Sequence, residues 1–239
     1  MLAIIQRFAG RRGVRGGRFF VAALAVLLLA AGLARAGGEA VGVARVFDGD
    51  TCRLADGRVL RLAGVDAPET AHGKAPAQYY AAEATAAFSR LVAGKALGLV
   101  VSGDGGDRFG RLLGDLVLPD GTSVTEALLA QGTVFVFWHR DMAEADFGRL
   151  LALQRRAMGE GRGMWPRLLG EPAAGRGFVG NANSRRFHEA RCPEAGRISP
   201  RNRVPFTSLR EAFFQGYAPA RECTPWPAAG EGGRPGGNG

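Results

Sequence analysis

Lysine is almost missing from this chain of 239 residues: only Lys74 and Lys95 accompany 29 arginines. Basic charge is therefore guanidinium charge. An arginine-rich surface follows from GC-biased coding as readily as from nucleic-acid binding, so the net charge of +9 does not by itself identify a partner. Three cysteines exclude a dense disulfide scaffold. Long apolar runs are also scarce. The longest uncharged one, Phe19 to Ala34, has 16 residues, short of the roughly 20 a membrane span needs, and a polytopic membrane protein is excluded. No internal repeat is visible. With 46% apolar and 22% charged residues the chain is not globally disordered, and its length suits one or two domains with a real core.

The uncharged run has a specific context. Arg7, Arg11, Arg12, Arg15 and Arg18 precede it, and Ala34-Arg35-Ala36 reads as a small-x-small cleavage site. This is the layout of a secretory signal peptide over residues 1–36, with an uncleaved N-terminal anchor as the alternative. The segment holds six Arg and no acid, so cleavage would leave about +3. The expected location is periplasmic or secreted.

The remaining charge is uneven. Residues 37–175 carry 15 basic and 17 acidic side chains, whereas residues 176–225 carry nine Arg against four Glu. Gly170, Pro172, Gly175 and Gly177 mark a linker at 170–177 between an expected domain at 37–169 and a small module at 178–225, and the Gly/Pro-rich stretch 226–239 reads as a disordered tail.

Within the first domain the apolar period begins at two. Val41 and Val43, Thr51 to Leu54, and Val59 to Val65 alternate around the turns Asp48-Gly49-Asp50 and Asp56-Gly57, which implies an antiparallel meander. Tyr80, Ala84, Ala87, Phe88 and Leu91 then share a helical face that Gly94 ends. Strands follow near Ala96–Val101 and Arg111–Leu118. Ser123 with Glu126 forms a capping box for a helix that Gly132 closes. After Thr133–Phe137, Phe147, Leu150, Leu151 and Gln154 mark a last helix from about Ala143 to Met158. The expected class is α+β: an OB-type five-stranded barrel with about three helices, followed by a small Cys/His α/β module.

Three blocks carry a resemblance. Val46-Phe47-Asp48-Gly49-Asp50-Thr51, Arg61 through Asp66-Ala67-Pro68-Glu69-Thr70, and Asp107-Arg108-Phe109-Gly110-Arg111 stand in the order and with the spacings of the staphylococcal nuclease (thermonuclease) family. The stretch Pro119-Asp120-Gly121 through Gln131-Gly132 is similar to that family's next helix, so the resemblance covers roughly residues 40–165. It implies a nuclease acting on DNA and RNA, single strands included, with little sequence preference and 3′-phosphate products. By the same resemblance Ca²⁺ is held by Asp50, Asp66 and the backbone carbonyl of Ala67. Glu69 is the general base, Arg61 and Arg111 hold the phosphate, and Arg108, Phe109 and Phe137 contact substrate.

The residues themselves agree. Arg61 and Asp66 are five apart, so an unbroken strand would point them to opposite faces. Pro68 cannot sit in a central ladder and holds Ala67 extended, so the strand must end or bend before Asp66 and swing Asp66 and Glu69 back toward Arg61. Carboxylates gathered in this way repel unless a cation neutralises them, and an all-oxygen donor set suits Ca²⁺ or Mg²⁺ rather than zinc. Planar, bidentate arginine suits phosphate. The rival readings are an inactive OB-type nucleic-acid-binding module, and a nuclease tethered to the membrane by residues 1–36.

The C-terminal residues Phe178-Val179-Gly180-Asn181, Ser184, Phe187-His188, Cys192, Asn202-Arg203-Val204, Gly216-Tyr217 and Cys223 are similar to a short Cys/His module of the type in the metal-binding domain of Ada-type DNA repair proteins. The closing Cys-x-x-Cys lacks its first cysteine, since position 220 is Ala. His188, Cys192 and Cys223 thus leave three alternatives: a Cys192–Cys223 disulfide, an incomplete Zn²⁺ site, or free thiols. The excess of Arg in this segment suits a nucleic-acid anchor. Cys52, in a strand, reads as a small apolar residue.

Overall fold

The computed structural model describes residues 39–73, 75–103, 106–170, 177–221 and 226–227. The expected signal segment, residues 171–176 of the expected linker, Cys223, and residues 228–239 of the expected tail lie outside the described residues. Among the described residues no helix is long and apolar enough to cross a membrane.

In chain order the barrel segment runs β1 (Glu39–Val41), β2 (Val43–Val46), β3 (Thr51–Leu54), β4 (Val59–Leu62), β5 (Val65–Asp66), α1 (Ala81–Val92), β6 (Leu97–Val101), β7 (Leu112–Val117), α2 (Val124–Gln131), β8 (Phe135–Val136), α3 (Glu144–Gly159) and α4 (Trp165–Gly170). Six of these strands form one sheet ordered β1, β6, β7, β4, β3, β2. β1 and β2 are its two edges, yet Gly42 alone separates them in sequence. The sheet must therefore curl until its edges meet, and β1 with β2 acts as one bent strand of an OB-type barrel. Counted so, the barrel has the five strands that the alternation implies. The meander is antiparallel through β2, β3 and β4, but β4 pairs with β7 in parallel, Arg61 opposite Leu113.

The helices follow their sequence signals. Ala84, Ala87 and Phe88 of α1 are buried as the period requires. Ser123 caps α2 by accepting the Glu126 N–H at 3.0 Å. Phe147, Leu150 and Leu151 of α3 are buried in the barrel core with Leu60, Leu62 and Leu128.

The C-terminal segment adds β9 (Phe178–Asn181), β10 (Arg186–Glu189), α5 (Pro193–Gly196), β11 (Arg203–Phe206), α6 (Leu209–Phe214) and β12 (Ala218–Pro219), with a second sheet ordered β11, β9, β10, β12. Apolar packing does not stop at residues 170–177. One buried cluster joins Phe135, Met158, Met164 and Trp165 of the barrel segment to Phe178, Phe187, Phe206 and Phe213 of the second sheet and its helix. Trp226 and Pro227, which composition assigns to a disordered tail, are packed as well. The Trp226 indole N–H donates to the Tyr79 carbonyl at 2.8 Å, the Tyr79 N–H donates to the Pro227 carbonyl at 3.1 Å, and the indole lies 5.7 Å from the Phe135 ring. A lone aromatic in a Gly/Pro-rich stretch has no period to betray it, but it buries as much area as several aliphatic residues.

Gln154 fastens the two segments. It falls on the apolar face of α3 and is 1% exposed. Its Oε1 accepts the Val136 N–H at 2.7 Å, and its Nε2 donates to the Phe213 carbonyl at 2.6 Å. Gln154→Leu should lower unfolding free energy by about 2–4 kcal/mol, because it strands a buried donor and a buried acceptor together. Urea denaturation checks this, and a loss under about 0.5 kcal/mol would refute it.

Candidate active site

The bend anticipated between Arg61 and Asp66 is a turn at Ala63-Gly64. Gly64 has φ +76°, so the backbone favours glycine, and a Cβ there would also press on the side-chain ends of Leu150 and Met142 at 2.7 Å. The turn sends the chain into β5, where Asp66 pairs in register with Phe135 of β8. Asp50 arrives from the β2–β3 turn. A Cβ at Gly49 would lie 2.7 Å from Ala67 Cβ and 2.8 Å from Ala84 Cβ, so that turn is wedged between α1 and the residue following Asp66.

These elements converge on one guanidinium. Arg61 Nη2 donates to Asp66 Oδ1 at 2.6 Å, while Nη1 lies against Asp50 Oδ2 as an ion pair without hydrogen-bond alignment. Asp50 Oδ2 also accepts the Ala67 N–H at 2.7 Å, and Oδ1 accepts the Thr51 hydroxyl at 2.9 Å. Asp50 is 5% exposed, and burial pushes its pKa up to about 6 against the attraction of Arg61. Burial raises Asp66 too, opposed first by Arg61. One buried and one partly buried carboxylate thus share one partly buried guanidinium.

Glu69 follows Pro68 and is exposed, outside the lining of the cavity that Arg61 and Arg111 share. Its backbone N–H donates to Gln78 Oε1 at 2.8 Å, and its carboxylate lies 3.3 Å from Arg221 Nη2. Partial burial, then the negative charge of Asp66, raises its pKa. Arg111 is locked by Asp107: Nε donates to Oδ2 at 2.8 Å, and Nη2 lies 2.7 Å from the same oxygen. Asp107 Oδ1 in turn accepts the N–H groups of Phe109 and Arg111, which shapes the loop carrying Arg108. The Phe109 ring is 65% exposed, with the guanidinium carbons of Arg108 and Arg111 at 4.8 and 5.4 Å from its centroid.

Arg61, Asp66, Arg108, Phe109, Arg111 and Phe137 line one cavity of about 700 Å³. Its other wall comes from the C-terminal segment: Asn181, Ser184, Arg186, His188, Arg197 and Arg221. Arg186 is the residue that motif reasoning missed. Its guanidinium lies 3.6 Å from the Phe137 ring centroid, and its Nη1 is 3.6 Å from Asp66 Oδ2. A face of Phe137, expected to contact substrate, is therefore covered by an arginine. Only the surplus of Arg after residue 176 hinted at such a contribution.

His188 and Cys192 lie together, with Sγ 3.7 Å from Nδ1. Cys192 is disulfide-bonded, whereas Cys52 is a buried free cysteine whose thiol burial pushes up to about 12.

The donor set around Arg61 fits a hard divalent cation. Its atoms are all oxygen, Asp50 and Asp66 together exceed the charge of Arg61, and Asp50 is buried and Asp66 partly buried, where net negative charge is costly. Among the described residues no three His, Cys, Asp or Glu side chains are grouped to hold a metal.

The comparisons agree with this geometry. Residues 59–167 match the family model described as staphylococcal nuclease homologue. A protein of Escherichia coli O157:H7, named an uncharacterized endonuclease, is 34% identical over 126 residues, covering 52% of this chain and 74% of its own length. Endonuclease YhcR of Bacillus subtilis is 27% identical over 212 residues, covering 75% of this chain and 17% of its own length. That share of 239 residues exceeds everything before residue 171, so the second likeness reaches into the C-terminal segment. By the barrel, the arrangement around Arg61 and these matches, the chain belongs to the staphylococcal nuclease family.

Proposed function

We propose that the protein is a Ca²⁺-dependent nuclease, secreted or periplasmic, that hydrolyses phosphodiester bonds of DNA and RNA with little sequence preference. The observation that carries this is the convergence of Asp50, Arg61 and Asp66 beside Arg111, with Glu69 paired to Arg221 of the cavity wall. Arg61 and Arg111 present guanidinium groups to a phosphate in the cavity and stabilise charge developing on its equatorial oxygens. Arg111 is held for this by Asp107, so little reorganisation is needed when substrate arrives. Glu69 takes the proton of the attacking water, and its raised pKa brings it nearer the operating pH than a fully solvated Glu. Asp50, Asp66 and the Ala67 carbonyl would hold Ca²⁺, which when bound supplies positive charge beside the phosphate. The Cys192 disulfide supports an oxidising compartment.

The test is hydrolysis of single-stranded DNA with Ca²⁺ and with EGTA, beside Glu69→Gln. Cleavage should require Ca²⁺, and the variant should lose roughly 10²- to 10⁴-fold in kcat with its fold intact. A wild-type chain that binds DNA in Ca²⁺ without cutting it would replace the enzyme with a binding module.

A further inference from the structure

We propose that Arg186, supplied by the C-terminal segment, is a third substrate-binding guanidinium: it contacts the phosphate seated between Arg61 and Arg111, and Phe137 is the residue that positions it. The proposal rests on the nuclease reading above and names the part of the substrate, its backbone phosphate, that the second wall of the cavity recognises.

Three observations carry it. First, the placement is central. Arg61 and Arg186 approach the two oxygens of one carboxylate, Asp66 Oδ1 at 2.6 Å and Oδ2 at 3.6 Å. A phosphate that reaches Arg61 therefore comes within reach of Arg186. Second, the side chain is held but not used up. It stacks on Phe137, and its Nη1 donates to the Pro219 carbonyl at 3.2 Å. The 3.6 Å separation from Asp66 Oδ2 is an ion pair longer than a hydrogen bond, and among the described residues the Arg186 side chain makes no other hydrogen bond. Third, the charge of the lining is in excess. Six arginines line the cavity against Asp66, Asp107 and Glu194, and three of the six (Arg186, Arg197 and Arg221) come from the C-terminal segment. Arg197 is paired with Glu194 and Arg221 with Glu69, whereas Arg186 has only a share in Asp66, which Arg61 holds at the shorter distance. A purely structural ion pair would close on Asp66. A phosphate-binding arginine needs a fixed stem and open donors, which is what stacking on Phe137 provides.

The experiment measures single-stranded DNA binding in EGTA, where nothing is cut, over a series of salt concentrations, and then cleavage in Ca²⁺. Arg186→Met keeps an apolar stem on Phe137 and removes the charge. It should weaken binding about tenfold, make the slope of log K against log salt shallower by about 0.7, and slow cleavage by on the order of 10²-fold. Arg186→Lys should keep the salt slope while recovering only part of the cleavage rate. Phe137→Leu should weaken binding with the slope nearly kept, and Phe137→Trp should restore it, as expected of a platform. Arg210→Ala removes an exposed arginine of the same segment away from the cavity, and should leave binding, slope and cleavage unchanged. Wild-type binding and slope in Arg186→Met, or equal losses in Arg210→Ala, would overturn the proposal. If the wild type fails to cleave, the nuclease reading falls, but the EGTA titration still decides whether Arg186 contacts phosphate.

Discussion

Arg61→Ala should lose on the order of 10³-fold or more in cleavage and about 3–5 kcal/mol in stability at once. The two losses have separate origins. Cleavage falls because a fork that reaches the phosphate is removed from a site where catalysis is mostly positioning and electrostatics. Stability falls because Asp50 stays buried and Asp66 partly buried with their shared partner gone, and each is already strained toward neutrality by burial. Arg61→Lys separates the origins. An ammonium leaves positive charge between the carboxylates but cannot span Asp50 and Asp66 as a planar fork does, so most of the stability should return while cleavage stays low. Ca²⁺ should raise the melting temperature of Arg61→Ala more than that of the wild type, since a cation bound to the native state takes over the neutralising role. Urea unfolding with and without Ca²⁺, beside initial rates on single-stranded DNA, measures all of this. An Arg61→Ala chain as stable as the wild type would show that the two carboxylates do not depend on this guanidinium.

The barrel and the Arg61 site were legible in the sequence because their determinants are local. Pro68 and the odd spacing of Arg61 and Asp66 require a bend, and Gly64 supplies it. Ser123 and Glu126 announce the start of α2. What was not legible came through contacts between residues far apart in the chain. Phe137 reads as a substrate contact until β10 lays Arg186 on it, and no local period encodes a partner 49 positions away. Gln154 looks like a polar residue misplaced on an apolar face until its two hydrogen bonds to β8 and α6 are seen. Trp226, 147 positions from Tyr79, shows the same limit. Charge was the one long-range signal the sequence did carry. The surplus of Arg after residue 176 pointed to nucleic acid without showing that the surplus reaches into the cavity that Arg61 lines.

Phe213→Ala should cost about 3–5 kcal/mol and should do so in one transition. The ring is 1% exposed and meets three others edge-on: Phe135 at 5.7 Å, Trp165 at 5.1 Å and Phe187 at 5.4 Å between centroids. Phe135 and Trp165 belong to the barrel segment and Phe187 to the second sheet, so truncating Phe213 opens a cavity where the two meet. That cavity sits close to the chemistry. Phe135 is the register partner of Asp66, and Phe187 follows Arg186 in β10. Loosening should therefore reach the active site through both neighbours, and cleavage should fall further than the unfolded fraction accounts for. Urea unfolding followed by tryptophan fluorescence and by cleavage, each scaled to the variant's own value without urea, should give coincident curves, displaced together from the wild type. Two separated transitions would mean that the segments hold independent cores. The second wall of the cavity would then be a neighbour of the nuclease rather than part of it.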